Sequence, residues 1–433
     1  MTLRTLLAGS TYAERLVALA RARSSLALVD QGVVSGMRFG TSLIIGRLSG
    51  PADLGLYAIA FATLLFALSV QESLIMRPYT VFGQRMGPKR LKSFAGSALF
   101  QHGLLALASV LFLSVSGLAL LALELTAPRL AHIVLILTLV IPFALSWDFA
   151  RRMAFAHLRM EVALAIDIAL AVLQLGILLA VASLEMLYVE TALLVIALAT
   201  AIVGAAWLFY RRHNFVVRRR NVEADTVRNW RFGRWILGGQ LVAVLHGYTV
   251  PLALNFILGA QMAGIFIAGE TLALLSNPVL LGLSNWLSPR AAAAYASGGI
   301  KSATHITLQA ILAIWVLIAP LAVVFFFFGD TVLTFVYGAE YAGHGWMVAI
   351  LGLCPFTWGT IFLLTCGLFA IEKADQVFAA TFAGFLISLL LVFPLTQSMH
   401  LPGAALALLI GSSFTALFLA AILVYANMGR SEK

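Results

Sequence analysis

The chain has 433 residues, 62% of them hydrophobic and only 11% charged, with a mean hydropathy of +1.00, a balance that excludes an ordinary soluble globular enzyme. The apolar residues come in continuous blocks and do not alternate with polar ones, so a membrane β-barrel is excluded in favour of helices. A net charge of +10 invites a nucleic-acid reading, but in a membrane chain basic residues report which side a loop occupies, and no nucleic-acid partner is expected.

Residues 1–25 mix Arg4, Glu14, Arg15, Arg21 and Arg23 with alanine and leucine, the composition of an amphipathic segment on a membrane surface. No basic stretch, short apolar core and small-residue cleavage site opens the chain, so the first spanning helix is expected to serve as the targeting signal. That helix is expected over 26–48, long enough to cross the hydrocarbon core and carrying Arg38 near its middle. Arginine at that depth costs about 2.5–3.5 kcal/mol on insertion scales, so its side chain must face protein or a watery gap. Gln31, Ser35, Arg38 and Ser42 follow one another at steps of four, three and four, which is one stripe of a helix. Asp30 lies about 12 Å from Arg38 along the axis and is a poor partner within the helix. Two readings stand for Arg38: an ion pair with a carboxylate from another helix, or contact with a substrate.

Gly50, Pro51 and Asp53 mark a tight turn, after which eleven more spans are expected at about 54–76, 94–118, 130–150, 161–183, 189–209, 235–257, 262–287, 303–328, 345–370, 376–397 and 402–425. With twelve spans, 25 of the 28 lysines and arginines fall on one side, Arg47 and Arg129 on the other, and Arg38 within. The positive-inside bias therefore predicts both termini and the long central loop in the cytosol. The other side carries Asp53, Glu124, Glu185, Glu190, Asp330 and Glu340 on connections too short for a catalytic domain, so no enzyme is expected. Domain organisation follows: a cytosolic amphipathic segment (1–25), a lobe of spans one to six (26–210), a cytosolic basic linker (211–234), a lobe of spans seven to twelve (235–425) and a cytosolic tail (426–433). The fold class is all-α integral membrane, with twelve helices in two pseudo-symmetric six-helix lobes.

The pseudo-symmetry rests on an internal repeat. LSGPADLGLYA from Leu48 matches ILGAQMAGIFI from Ile257 at a shift of 209, pairing Gly50 with Gly259, Gly55 with Gly264 and Gln31 with Gln240. A weaker echo pairs FAHLRMEVALAID from Phe155 with FAIEKADQVFAAT from Phe369. In transporters built from such repeats the substrate path runs between the halves, which makes spans one, two, seven and eight the natural lining. Span seven offers Gln240, Gly247, Pro251 and Asn255 on one stripe, with His246 and Tyr248 on flanking faces. His246 reads either as a hydrogen-bonded packing residue or as a ligand or proton site. In span eight Glu270 and Asn277 share a face, and Glu270 reads as a proton relay or as the counter-ion of Arg38. Asp148 with Arg151 and Arg152 reads as an intrahelical ion pair, and Glu72, His102, Asp167, Gln174 and Gln309 as structural. Cys354 and Cys366, about 18 Å apart along one helix, are packing residues that cannot bond to each other, and no metal-ligand spacing occurs.

The segments DQGVVSGMRFGTSLIIGRLSGPADLGLYAIA, WDFARRMAFAHLRMEVALAID, WRFGRWILGG and FVYGAEYAG resemble the polysaccharide-unit flippases of the multidrug/oligosaccharidyl-lipid/polysaccharide exporter superfamily. The resemblance implies two six-helix lobes around a central, often cationic cavity, and translocation of undecaprenyl-pyrophosphate-linked sugar units by alternating access. Carried onto this chain, it makes Arg38, Gln31, Ser35, Gln240, His246, Tyr248 and Asn255 candidate substrate-binding residues. Asp30, Glu270 and Asn277 become candidates for coupling to a proton or sodium gradient, with no bound cofactor. It also implies lipid-linked oligosaccharide and membrane lipids as partners, and a polysaccharide polymerase and glycosyltransferases as neighbours. A multidrug or cation antiporter of the same architecture is the alternative, and a membrane polymerase or ligase a third reading.

Overall fold

The structure is a computed structural model that describes Leu26 and residues 29–123 and 128–428. The segment expected over 1–25, Glu124 and residues 429–433 of the expected tail lie outside the described residues. The first helix, α1, covers 29–48, followed by α2 (Pro51–Gly83), α3 (Pro88–Ala122), α4 (Pro128–Ala156), α5 (Met160–Ser183), α6 (Val189–Arg211) and α7 (Arg219–Ile257). Proline opens α2, α3 and α4, the position where its missing N–H removes no helical hydrogen bond.

Two further helical stretches, Ala260–Tyr337 and Ala374–Asn427, run for 78 and 54 residues. At 1.5 Å per residue each is far longer than a hydrocarbon core of about 30 Å, so each must fold back. The reversals fall at Gly299 (φ 68°, ψ −162°) and His400 (φ 55°, ψ −132°). They divide the stretches into α8 (260–298), α9 (300–337), α11 (374–399) and α12 (401–428), with α10 (Gly345–Ala370) between. The described residues thus form twelve helices and no strand, a multi-pass membrane protein. Alternate connections put Arg85, Arg159, Arg211 and Lys373 on one face, here the basic face, where α1 begins and α12 ends.

The internal repeat is visible in the backbone. Gly50 and Gly259 adopt nearly the same left-handed conformation (φ 89°, ψ 173° and φ 86°, ψ 171°), which turns the chain into α2 and α8 respectively. Those helices then cross at glycines: a Cβ on Gly55 would overlap the Ala260 carbonyl, and one on Gly264 would overlap the Pro51 carbonyl. Ala260 follows Pro51 by the same 209 positions, so the contact is reciprocal and close to two-fold. The weaker echo has a counterpart too, because Leu158 (φ 56°) and Glu372 (φ 63°) are both left-handed. Each is followed by an N–H that reaches back five residues, Arg159 to Ala154 (2.9 Å) and Lys373 to Leu368 (2.9 Å), so both helix ends close in the same Schellman-type turn.

Residues 211–234, read from composition as a basic linker, form a short 3₁₀ turn and then the opening of α7. Asp225, buried, binds Arg90 and accepts from Ser97 (2.7 Å), while Gln101 bonds Thr226 (2.9 Å) and Asn229 (3.0 Å), which docks this segment on α3. Gly233 lies against the Ser73 carbonyl, where α2 relaxes into a π turn over Glu72–Met76. The far end of α7 packs instead on the last helices, with His246 6.3 Å from the Phe385 ring of α11.

Candidate functional site

At the face away from the basic loops, the two halves close against each other. The Arg47 guanidinium donates to the carbonyls of Phe335 (2.7 Å) and Val336 (2.8 Å), neutralising the negative end of α9. The Tyr341 hydroxyl donates to the Gly46 carbonyl (2.7 Å), the Tyr337 ring presses on Gly46, and the Ser42 and Thr271 hydroxyls approach to 3.5 Å. A Cβ on Gly247 of α7, on the stripe of Gln240, Pro251 and Asn255, would meet no atom within 4 Å, so that face of α7 is open there.

Arg38 lies on the stripe of α1 that carries Gln31 and Ser35. Its side chain remains accessible although protein surrounds it on most sides. Its guanidinium carbon is 5.6 Å from the centre of the Phe61 ring on α2. Phe61 stacks on Tyr57 at 5.8 Å and lies 6.5 Å from Tyr248 on α7, so three aromatic rings form a collar beside the charge. Among the described residues no carboxylate oxygen comes within 4.0 Å of Arg38.

The other candidates distribute as follows. Gln31 and Ser35 are half-buried on the same stripe, their side chains 3.5 Å apart. Gln240, Asn255 and Asn277 are half-buried and make no side-chain hydrogen bond among the described residues. Glu270 is half-buried on α8 within electrostatic range of Tyr248 and Cys354, and forms no ion pair among the described residues. The His246 ring lies 6.3 Å from that of Phe385, and its Nδ1 is buried without a hydrogen-bond partner among the described residues. Asp30 is drawn elsewhere: it pairs with Arg151 (2.7 Å), which also binds Asp167, tying α1, α4 and α5 together near the basic face. Arg152 holds Asp148 (2.7 Å) and Glu72 (3.0 Å), and Gln71 links Asp148 (3.0 Å) to His102 (2.8 Å). Arg38 is therefore set apart from the arginines of α4, each of which has two carboxylates.

Sequence reasoning missed the aromatic collar. Tyr57 and Phe61 sit in a strongly apolar stretch where aromatics read as packing, yet the 209-residue shift lays Phe61 on Glu270, a signal that this face of α2 looks toward the other half.

The family described as "polysaccharide biosynthesis protein" matches residues 22–290, more than half of the sequence. The chain belongs to this family. Its helices also superpose on solved transporters of the MOP superfamily. The lipid II flippase MurJ, in an inward closed conformation, matches with a TM-score of 0.69 at 12% identity, over 90% of this chain and 86% of that one. An inward-facing MATE-family multidrug resistance transporter gives 0.67 at 15% identity, over 92% and 94%. A MOP superfamily transporter from Pyrococcus furiosus, described as having a binding pocket of reverse polarity, gives 0.65 at 12%, over 95% of both chains. No curated protein matches the sequence. At these identities the structural likeness speaks for the fold, and the family match places the chain among polysaccharide biosynthesis proteins.

Proposed function

We propose that this family member is a flippase for lipid-linked oligosaccharide, carrying an undecaprenyl-pyrophosphate head group and its sugars through the gap between the halves by alternating access. The observation that carries this reading is Arg38: a cation within a spanning helix, exposed, lacking a carboxylate partner among the described residues, and beside the Phe61 ring. Retaining such a charge is costly unless something negative arrives to meet it. Pyrophosphate or an acidic sugar supplies that charge, and Gln31, Ser35, Gln240 and Asn255 supply hydrogen bonds for hydroxyl groups. Tyr57, Phe61 and Tyr248 supply flat apolar faces on which sugar rings can rest. The positive-inside bias supports a cytosolic basic face, and a bacterial inner membrane is where such a lipid-linked precursor is made.

Arg38→Ala is expected to abolish export of the glycan with the protein level unchanged, and Arg38→Lys to retain part of it. Normal export by Arg38→Ala sinks the anion site. We assign gradient coupling to Glu270 and not to Asp30, because Asp30 is held by Arg151 while Glu270 has no ionic partner among the described residues. In proteoliposomes Glu270→Gln should flip substrate at a rate that no longer responds to a proton or sodium gradient; an undiminished response would move the coupling site elsewhere. A multidrug reading calls for acidic groups facing a cationic drug, whereas the central charge here is positive. Resistance assays in a drug-sensitive host separate the two.

A further inference from the structure

Each half encloses a cavity at the basic face, and the two cavities are equivalent by the internal repeat. The first, of about 280 Å³, lies where the ends of α2, α4 and α6 meet the starts of α3 and α5. The second, of about 640 Å³, lies among the matching ends of α8, α10 and α12 and the starts of α9 and α11. A shift of 214 residues carries lining residues of the first onto lining residues of the second: Arg159 onto Lys373, Val162 onto Gln376, Trp207 onto Ala421 and Arg211 onto Tyr425. The hollow thus belongs to the fold. The charge does not, because the first cavity has Lys92, Arg159 and Arg211 where the second has Lys373 as its one lysine or arginine.

None of these three cations forms an ion pair among the described residues, and no acidic residue lines the first cavity, although arginines elsewhere at this face, such as Arg90, Arg151 and Arg152, are matched to carboxylates. His157, in the same wall, is held below its usual range by burial and by the charges of Arg159 and Arg211, so the hollow is both partly desolvated and electropositive. The remaining walls include Leu91, Met153, Trp207 and Phe215. Phe209 and Tyr210, beside Arg211 on α6, are 67% and 79% exposed on a helix that spans the membrane, so the cavity borders the lipid-facing surface at interfacial depth.

We infer that the first cavity binds the phosphate head group of an anionic bilayer lipid, clamped by Lys92, Arg159 and Arg211, with its acyl chains running outside along α6. A volume near 280 Å³ suits a phosphoglycerol head group and not a whole lipid. Guanidinium groups bind phosphate oxygens through paired N–H donors, and basic hollows between helices at a cytosolic surface recognise anionic lipids in this manner. The second cavity is its less charged twin, with Lys373 alone among lysines and arginines.

The test uses the full chain in nanodiscs of phosphatidylcholine containing a minor fraction of phosphatidylglycerol, read by native mass spectrometry and by quenching of Trp207 with brominated phosphatidylglycerol. Wild type should retain phosphatidylglycerol in preference to phosphatidylcholine, and the brominated lipid should quench a component of the emission that Trp207→Phe removes. The triple variant Lys92→Gln, Arg159→Gln, Arg211→Gln should bind about tenfold more weakly or worse, while Lys373→Gln in the twin cavity should leave retention unchanged. Equal retention by the triple variant overturns the inference, as does displacement of the brominated lipid by millimolar inorganic phosphate, which would mark a site for soluble anions. Should the triple variant fail to fold, the comparison of wild type with Trp207→Phe decides alone: identical quenching in both means that the cavity holds no lipid.

Discussion

Arg151 bridges two helix interfaces, binding Asp30 of α1 and Asp167 of α5, both almost fully buried. Removing one partner from a buried ionic cluster strands the others, at a cost of about 3–5 kcal/mol. Arg151→Gln is therefore expected to lower the thermal midpoint in detergent by several degrees, and adding Asp30→Asn to recover part of the loss; an unchanged midpoint would show the triad to be dispensable. How much of the site the sequence reveals depends on the kind of contact. The stripe of Gln31, Ser35, Arg38 and Ser42 is legible because helical period alone puts those residues on one face. The partner of Asp30 is not, because it lies 121 positions away and no local rule links them. Glu270 is legible as a polar residue in an apolar helix, but its separation from Arg38 belongs to the packing of α8 against α2.

At the level of helices, hydropathy places every span but marks only the part inside the lipid. The seventh span, expected over 235–257, is the end of a helix that begins at Arg219, because the charges of its first turns hide a face built from Val222, Asp225 and Asn229, all buried on α3. The reversal at His400 is likewise silent in composition, since a left-handed histidine carries none of the signal that a glycine would. Asp225→Ala should free Arg90, Ser97 and Arg228 from their shared acceptor and loosen the start of α7 from α3. Limited trypsinolysis of the intact protein should then cut faster at Arg228 and Arg231; an unaltered digestion pattern would show that the docking survives without the carboxylate.

Taken whole, the molecule is closed between its halves at the face opposite the basic loops. Alternating access requires the closed end to part during each cycle. Ser42 and Thr271 face each other across it at 3.5 Å between hydroxyls, close enough for their replacement by cysteines to allow a bond. The Ser42→Cys, Thr271→Cys pair should cross-link under oxidation, stop export, and regain it on reduction; the native Cys354 is buried and Cys366 half-buried, which limits background. Export that continues through the cross-linked form would mean that the halves do not separate there.

The crossing of α2 and α8 has an evolutionary reading. Each contributes the same small patch, Gly55 against the Ala260 carbonyl and Gly264 against the Pro51 carbonyl, so each side is a copy of what it binds. A surface that fits its own duplicate needs no dissimilar mate. A gene for six helices would already have encoded a chain able to pair with its twin, and fusion of two such genes joined what had already met.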